Sequence, residues 1–535
     1  MNSRYIMGKI KILDCTLRDG GYINKWAFKD NHIARILASL CEARVDIVEC
    51  GYLSMEATHL SNTTMFGCIG QADRFAQKMD SAIHKVVMIN FGEFDIDTLP
   101  CVHQYGGGKI DGVRLAFHKE NLNDAVLSAR GIKKKGYNVF FQPMVTKYYS
   151  DIEFLEMLEK VNVFQPYAFY IVDSFGSMTP REFEKYILLA NDNLNSDIAL
   201  GYHSHNNMQL AFANAIKLCS VNFDRDVILD SSVYGMGRGA GNLNTELIAD
   251  FLNKEFGGQY NITSLLEIID SLLEGLMSRY SWGFSPAQYL SASFDIHPNY
   301  ASYLTSRNTN HIVTIQKILE KIPRNKRSKF DRNLIERLYI ETVCEKKIQV
   351  KDRLKSLLGK KVILLAPGSS ILTYRDALQV KVKQENCLSI ALNHRPPIDC
   401  DYYFFANQKR YDEFIDVLEA HKVVITNNLQ SQLEVFAILE YADLVSIDGD
   451  FFTNTTIIFL NYLVKQGVRE VEIAGLDGYK SGVNNYSYDE CDIQIREDSL
   501  VFQNEMVKKG LKKLSGVINV AFLTPSIFEE IEYGS

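Results

Sequence analysis

Eight short runs rich in Val, Ile, Leu and aromatic residues punctuate the first half of the chain, each bounded by turn or cap residues and followed by a stretch of helix length. They extend from Ile10 to Leu17, Val45 to Gly51, Lys85 to Asn90, Ile110 to Phe117, Tyr137 to Pro143, Ala168 to Asp173, Ile198 to Ser204 and Val227 to Tyr234. Their mean repeat is about 31 residues, and with a last helix the set fills about 250, the size and count of a (β/α)8 TIM barrel. An open doubly wound sheet is the other arrangement this alternation permits. Runs such as Val86-Val87-Met88-Ile89-Asn90 and Phe169-Tyr170-Ile171-Val172-Asp173 are apolar on both faces, as strands covered by helices must be.

The polar residues that interrupt these runs gather at their carboxyl ends, the face of a barrel that carries chemistry. Arg18-Asp19-Gly20 follows the first run, Glu49 ends the second, and Arg114 and His118 close the fourth. Asp173-Ser174 closes the sixth, His203 and His205 the seventh, and a Gly-rich loop from Gly235 to Asn242 follows the eighth. Residues i and i+2 of a strand point to the same side, so His203 and His205 can face one ion. In a closed barrel the first strand adjoins the eighth, so Asp19 can supply a third ligand. A mixed N/O site with open positions suits a divalent ion, Mn2+ first and Mg2+ or Zn2+ as alternatives. Alone, an H-x-H pair is more often two surface or core histidines.

These residues resemble the DRE-TIM (HMGL-like) metallolyases, which include HMG-CoA lyase, isopropylmalate synthase and 4-hydroxy-2-oxovalerate aldolase. The likeness covers residues 9 to about 260 and rests on Leu13-Asp-Cys-Thr-Leu-Arg-Asp-Gly20, Gly201-Tyr-His-Ser-His205 and Gly235-Met-Gly-Arg-Gly-Ala-Gly-Asn242. The texture of Asn207-Met-Gln-Leu-Ala-Phe-Ala-Asn-Ala215, with Val-Asp-Ser174 after the sixth run, is most similar to the aldolase branch. The resemblance implies a metal-dependent carbon-carbon lyase acting on a 4-hydroxy-2-oxo acid through a pyruvate-type enolate, with an aldehyde as the second product. A 2-oxo acid chelates the ion through its carboxylate and keto oxygens, and the ion absorbs the enolate charge. Arg18 would stabilise that charge, Arg114 and Ser174 would hold the carboxylate, and Asn242 would be a further ligand or a partner of one. Gly235 to Gly241 could equally form an anion-binding loop.

One position departs from the aldolase pattern. Two places after the glycine of the Arg-Asp-Gly motif, where that branch carries a histidine base, stands Tyr22. A phenol is a poorer base at neutral pH. Tyr22, His118 and His297 are therefore the candidates for the proton acceptor, and the change suggests a polyhydroxylated, sugar-like oxo acid. Glu49 either orients a ligand or caps a helix. The alternatives in function are a Claisen-type acyl-CoA synthase, whose last motif reads differently at Gly237-Arg238-Gly239, and a non-catalytic barrel serving as a binding module.

Beyond the barrel domain (1–260), residues 261–355 read as a helical lid or interface segment, with Tyr289 either reaching the site or packing in the core. Residues 356–535 read as a Rossmann-like α/β domain, with strands expected at 361–366, 388–392, 402–405, 422–426, 444–447, 471–474 and 517–522. Pro367-Gly368-Ser369-Ser370 ends its first strand and could hold a nucleotide or phosphorylated ligand, and Asp448-Gly-Asp450 and Asp477 end later ones. The whole chain, 535 residues, is 46% hydrophobic with a formal charge of −7 and no long basic block, which argues against a nucleic-acid partner. Its ten scattered cysteines form no C-x-x-C pair, and no apolar leader or membrane span is visible. A cytoplasmic homo-oligomer with reduced thiols and no membrane association is expected.

Overall fold

The computed structural model of the protein describes residues 8–102, 108–221, 223–307, 311–345, 348–480, 483–488 and 497–529. The chain divides into two compact units, 1–298 and 299–535. The division falls inside the segment expected at 261–355, whose helices are shared between the units.

In the first unit eight strands form the sheet: β1 (Ile10–Asp14), β2 (Ile47–Leu53), β3 (His84–Asn90), β4 (Gly112–Phe117), β5 (Asn138–Pro143), β6 (Ala168–Asp173), β7 (Ala199–Ser204) and β8 (Val227–Ser231). All neighbours are parallel, and β1 pairs with both β8 and β2, so the sheet closes on itself as a TIM barrel. The closing register sets Leu13 opposite Ile47 and Asp14 opposite Val48. A two-residue strand, Met65–Phe66, adds to the side of β2.

Helix starts are written locally. Ser150 and Thr179 each form a capping box, with Glu153 and Glu182, at the heads of helices Asp151–Phe164 and Pro180–Asn193. Side chains alternate along each strand. One set, such as Val48, Val87, Leu115, Phe141 and Leu229, packs against the helices. The other fills the barrel, with Leu13, Ile47, Val86, Phe140, Tyr170 and Ile228 at its apolar level. Two residues along the same inward set come Glu49, Arg114, Gln142 and Asp230, so the period that builds the core also carries charge into it.

The second unit holds a parallel seven-stranded sheet. Its strands are β9 (Lys361–Leu365), β10 (Cys387–Leu392), β11 (Tyr402–Phe405), β12 (Val423–Thr426), β13 (Ala437–Leu439), β14 (Glu470–Ala474) and β15 (Asn519–Phe522). The order is β13-β12-β11-β10-β9-β14-β15, the reversing order of a doubly wound, Rossmann-like sheet. One expected strand is corrected. Leu444 to Ile447 lies outside this sheet: helix Tyr441–Leu444 ends there, and Ser446–Ile447 pairs only with Asp450–Phe451 in a two-residue hairpin. The sheet position is taken by Ala437–Leu439, three residues too short to register as a periodic run. Asp448 and Gly449 are the positive-φ turn of that hairpin, and Asp450 is paired with Lys509 and Lys513.

The nine described cysteines are free, and Cys491 lies outside the described residues, as do residues 1–7. Among the described residues no helix is long and apolar enough to cross a membrane.

Candidate metal centre

β1 ends at Asp14 and turns at once into a single helical turn, Thr16–Asp19, which carries Arg18 and Asp19 over the barrel mouth. β7 delivers His203, and His205 follows just past its end. Ligand atoms of Asp19, His203 and His205 all lie within 4.8 Å of one another, and the three residues are buried.

Several polar atoms of this cluster lack a hydrogen-bond partner. Both Asp19 carboxylate oxygens, His205 Nδ1 and Asn242 Oδ1 are enclosed without a hydrogen-bond partner, although His205 Nδ1 lies 3.8 Å from Asp19. Unsatisfied buried acceptors cost free energy unless something electropositive meets them. An N/O donor set with this geometry fits a divalent cation.

His203 is held from behind. Its Nδ1 is 2.9 Å from Asp230 Oδ2, which also receives Arg114 Nη2, so a proton on Nδ1 leaves the Nε2 lone pair free. Arg114 Nη1 in turn donates to Glu49 Oε2 at 2.7 Å, and Glu49 Oε2 accepts Arg18 Nε at 2.8 Å. With the Gln142 amide oriented to suit the network, its oxygen accepts from Arg114 as well. Arg114 was expected to hold a substrate carboxylate. It is instead fully enclosed, with its guanidinium committed to Glu49, Asp230 and Gln142, and it acts on the centre through His203 and Arg18. Glu49 thus holds the side chains of Arg18 and Arg114.

Arg18 Nη1 lies 3.3 Å from Asp19, while its Nη2 is buried with no partner, a donor left over for a ligand. Burial alone would raise the Asp19 pKa, but Arg18, both histidines and Arg238 outweigh it and hold the carboxyl well below its usual range. Burial lowers the His205 pKa to about 3 against the pull of Asp19, so its imidazole is neutral.

Asn242 is 2% exposed; its amide nitrogen faces Ser232 Oγ and the Met236 carbonyl, both at 3.4 Å. The Gly-rich loop brings it there. Gly235, Gly239 and Gly241 have φ of 62°, 69° and 82°, and a Cβ on Gly241 would collide with the Gly235 carbonyl. Ser174 Oγ accepts the Val145 amide at 3.0 Å, across from a β-branched residue held at φ 53°.

The three candidate bases are separated. Tyr22 stands edge-on to Trp26 at 4.8 Å under the Arg238 guanidinium at 5.5 Å, and burial raises its pKa. His118 is exposed after β4 and outside the ligand cluster. His297 is half-buried beside Phe175, its ring 5.7 Å away; burial and then Arg238 lower its pKa to about 3. Tyr289 is 42% exposed, so it is not a core residue.

Two residues of the site went unrecognised in the sequence. Asp230 had a signal, an acid at an inward position of an otherwise apolar strand. Arg238 had only its place in the Gly-rich loop. Its charge acts on Asp19, His205, His297 and Tyr22, its Nε is buried without a hydrogen-bond partner, and among the described residues no carboxylate pairs with it.

Residues 114–271 match the HMGL-like family model. The chain is 23% identical over 291 residues to an oxaloacetate decarboxylase of Mycobacterium tuberculosis, covering 54% of this chain and 82% of that protein. It is 26% identical over 274 residues to a 4-hydroxy-2-oxovalerate aldolase of Pelotomaculum thermopropionicum, covering 51% and 78%. A variant of the carboxyl transferase domain from Rhizobium etli pyruvate carboxylase, with pyruvate, shares the fold at a TM-score of 0.50 and 10% identity, covering 66% of this chain and 65% of that one. The barrel is thus HMGL-like over residues 114–271 and similar to lyases of that kind, which supports its resemblance to the DRE-TIM metallolyases.

Proposed function

We propose that the barrel is a divalent-metal-dependent aldolase that cleaves or forms a 4-hydroxy-2-oxo acid by way of a pyruvate-type enolate. One observation carries this reading: three buried ligand residues cluster together, two of them, Asp19 and His205, with unsatisfied polar atoms, beside an arginine donor, Arg18 Nη2, that also lacks a partner. Asp19, His203 and His205 would hold the ion, with Asn242 as a further ligand. Bound there, Mn2+, Mg2+ or Zn2+ would supply Lewis-acid stabilisation of the enolate.

The chain's own residues do the rest. Arg18, clamped through Nε by Glu49, presents Nη2 to the developing oxyanion without reorganising. Arg114 and Asp230 fix the ring of His203. Arg238 has no carboxylate partner among the described residues and takes an anionic group of the substrate. Tyr22, beneath Arg238, faces the hydroxyl of the aldehyde half. The lyase names of the relatives support the reaction class.

The test is hydrogen–deuterium exchange at the methyl group of pyruvate, followed by NMR with and without chelator. Chelator, Asp19→Ala and His205→Ala should each abolish it; exchange that persists unchanged in both variants refutes the proposal. A panel of aldehydes with pyruvate then defines the second half of the substrate.

A second reading, decarboxylation of a 2-oxo dicarboxylic acid, is favoured by the phenol at position 22. Losing CO2 gives the same enolate and needs no base to take a hydroxyl proton, and burial makes Tyr22 a poor one. Turnover of oxaloacetate with no cleavage of any 4-hydroxy-2-oxo acid would select it.

A further inference from the structure

The second unit carries a cleft that the barrel chemistry does not use. β10 to β13 lie on one side of β9, and β14 and β15 on the other. Loops leaving adjacent strands part company where the order reverses, and the crevice beyond the carboxyl ends there is where such sheets bind ligands. An open cleft of about 970 Å³ occupies this point, lined by segments that follow β9, β10, β11 and β14.

The loops are fitted closely around it. A Cβ on Gly368, just after β9, would collide with the Gly475 carbonyl and stand 2.6 Å from the Asp477 carboxyl carbon, so a side chain there would force the two loops apart. Among the described residues Asp477 is the only acid of the lining, and it is already engaged by the backbone amide of Ser370 at 2.8 Å and by the Ser370 hydroxyl.

The rest of the described lining includes two arginines and a pair of tyrosines. Arg307 and Arg410 line the cleft at 3% and 7% exposure. Arg410 is anchored by Glu413 at 2.8 Å; Arg307 donates to the Phe451 carbonyl at 3.3 Å and to the Tyr303 hydroxyl and stands 3.9 Å from Glu336, and neither Glu413 nor Glu336 is part of the lining. Arg307 Nε is buried without a hydrogen-bond partner. The amino end of the 11-residue helix Thr455–Lys465 opens on the same space, adding its dipole to the two guanidinium groups. On the aromatic side, the rings of Tyr486 and Tyr488 are 5.3 Å apart and 30° from parallel, and Arg410 lies 4.8 Å from the first. An anion site beside a flat π-surface at a switch point matches a ligand with a phosphate and an aromatic ring.

We propose that this cleft binds a nucleoside phosphate, its base against the Tyr486–Tyr488 ledge and its phosphate facing Arg307, Arg410 and the head of helix Thr455–Lys465.

The test is calorimetric titration of the full-length protein with AMP, ADP, CMP and UDP, with ribose 5-phosphate and inorganic phosphate as base-free probes. At least one nucleotide should bind saturably, and ribose 5-phosphate about tenfold more weakly or worse. Arg410→Gln removes one guanidinium, and Ser499→Trp puts a large side chain into the lining of the cleft while leaving both arginines in the sequence. Each should weaken nucleotide binding by about tenfold or more while pyruvate methyl exchange is unchanged. Absence of saturable binding by all four nucleotides overturns the proposal, as does full affinity in Ser499→Trp, equal binding of ribose 5-phosphate, or loss of binding in Asp19→Ala, which would move the nucleotide to the barrel.

Discussion

Arg238→Met separates ligand recognition from the chemistry of the centre. The guanidinium of Arg238 is half-buried, rests over the ring of Tyr22, and has no carboxylate partner among the described residues. Methionine keeps the stem and removes the charge. No ion pair is broken, so folding stability should move by no more than about 0.5 kcal/mol. A hydrogen bond to a charged group contributes roughly 1.5–3 kcal/mol, so a substrate whose second anionic group meets Arg238 should lose roughly 10- to 100-fold in kcat/KM. Pyruvate has no second anionic group, and its methyl exchange should stay within about twofold of wild type. Steady-state cleavage of 4-hydroxy-2-oxo acids with and without a distal carboxylate or phosphate, set beside exchange measured by NMR, gives both numbers. If exchange falls as far as cleavage does, Arg238 serves the enolate and not the distal group. If cleavage is unaffected for every substrate, the unpaired charge has no ligand and the reasoning fails.

Arg114→Met should behave oppositely. It strands Glu49 and Asp230 in the barrel without their cation, and breaking a buried ion pair costs about 3–5 kcal/mol, read as a large fall in Tm together with weaker metal binding. Gly241→Ala forces a residue with a Cβ to adopt φ 82° against the Gly235 carbonyl, so a loss of roughly 2 kcal/mol and a displaced Asn242 are expected, seen as lowered stability and metal affinity. In the second unit His394 is fully enclosed and burial lowers its pKa to about 4. The unfolded imidazole takes its proton first as pH falls below about 6.5, so stability is present above that pH and is lost down to about 4, by about 3 kcal/mol. His394→Phe should flatten the acid limb of the unfolding curve between those values; an unchanged limb refutes the assignment.

The barrel was legible because its strands carry their signal locally. Each is a short run apolar on both faces, and the polar residues ending those runs mark one rim, which located Asp19, His203 and His205. Arg114 shows what spacing cannot express. Its exposure and its partners depend on closure, which brings β2, β4 and β8 around one interior, and nothing in the sequence of β4 says that Glu49 and Asp230 will claim its guanidinium. His118 was drawn in by its strand-end position, but it lies past the rim and faces solvent. Arg238 was hidden for a different reason: the path of a loop rich in positive-φ glycines is not set by periodicity, so the direction of its one long side chain cannot be read from it. In the second unit, Ala437–Leu439 is too brief for an alternation to be recognised.

The charges around the centre bear on the substrate. Three carboxylates, Asp19, Glu49 and Asp230, face three guanidinium groups, Arg18, Arg114 and Arg238, and burial holds the ligand histidine His205 neutral. The protein's own charges therefore balance in a space where little water remains to screen them. On the proposed function a divalent ion adds two positive charges that no side chain there offsets, and an unbalanced charge in such a site is costly. A monoanion such as pyruvate neutralises half of it. A 2-oxo acid with a second anionic group neutralises all of it, and Arg238, the one guanidinium of the three without a carboxylate partner among the described residues, is where that second charge would be met. The net acidity of the whole chain, −7, has no bearing on this preference, because the relevant sum is taken over the enclosed groups alone.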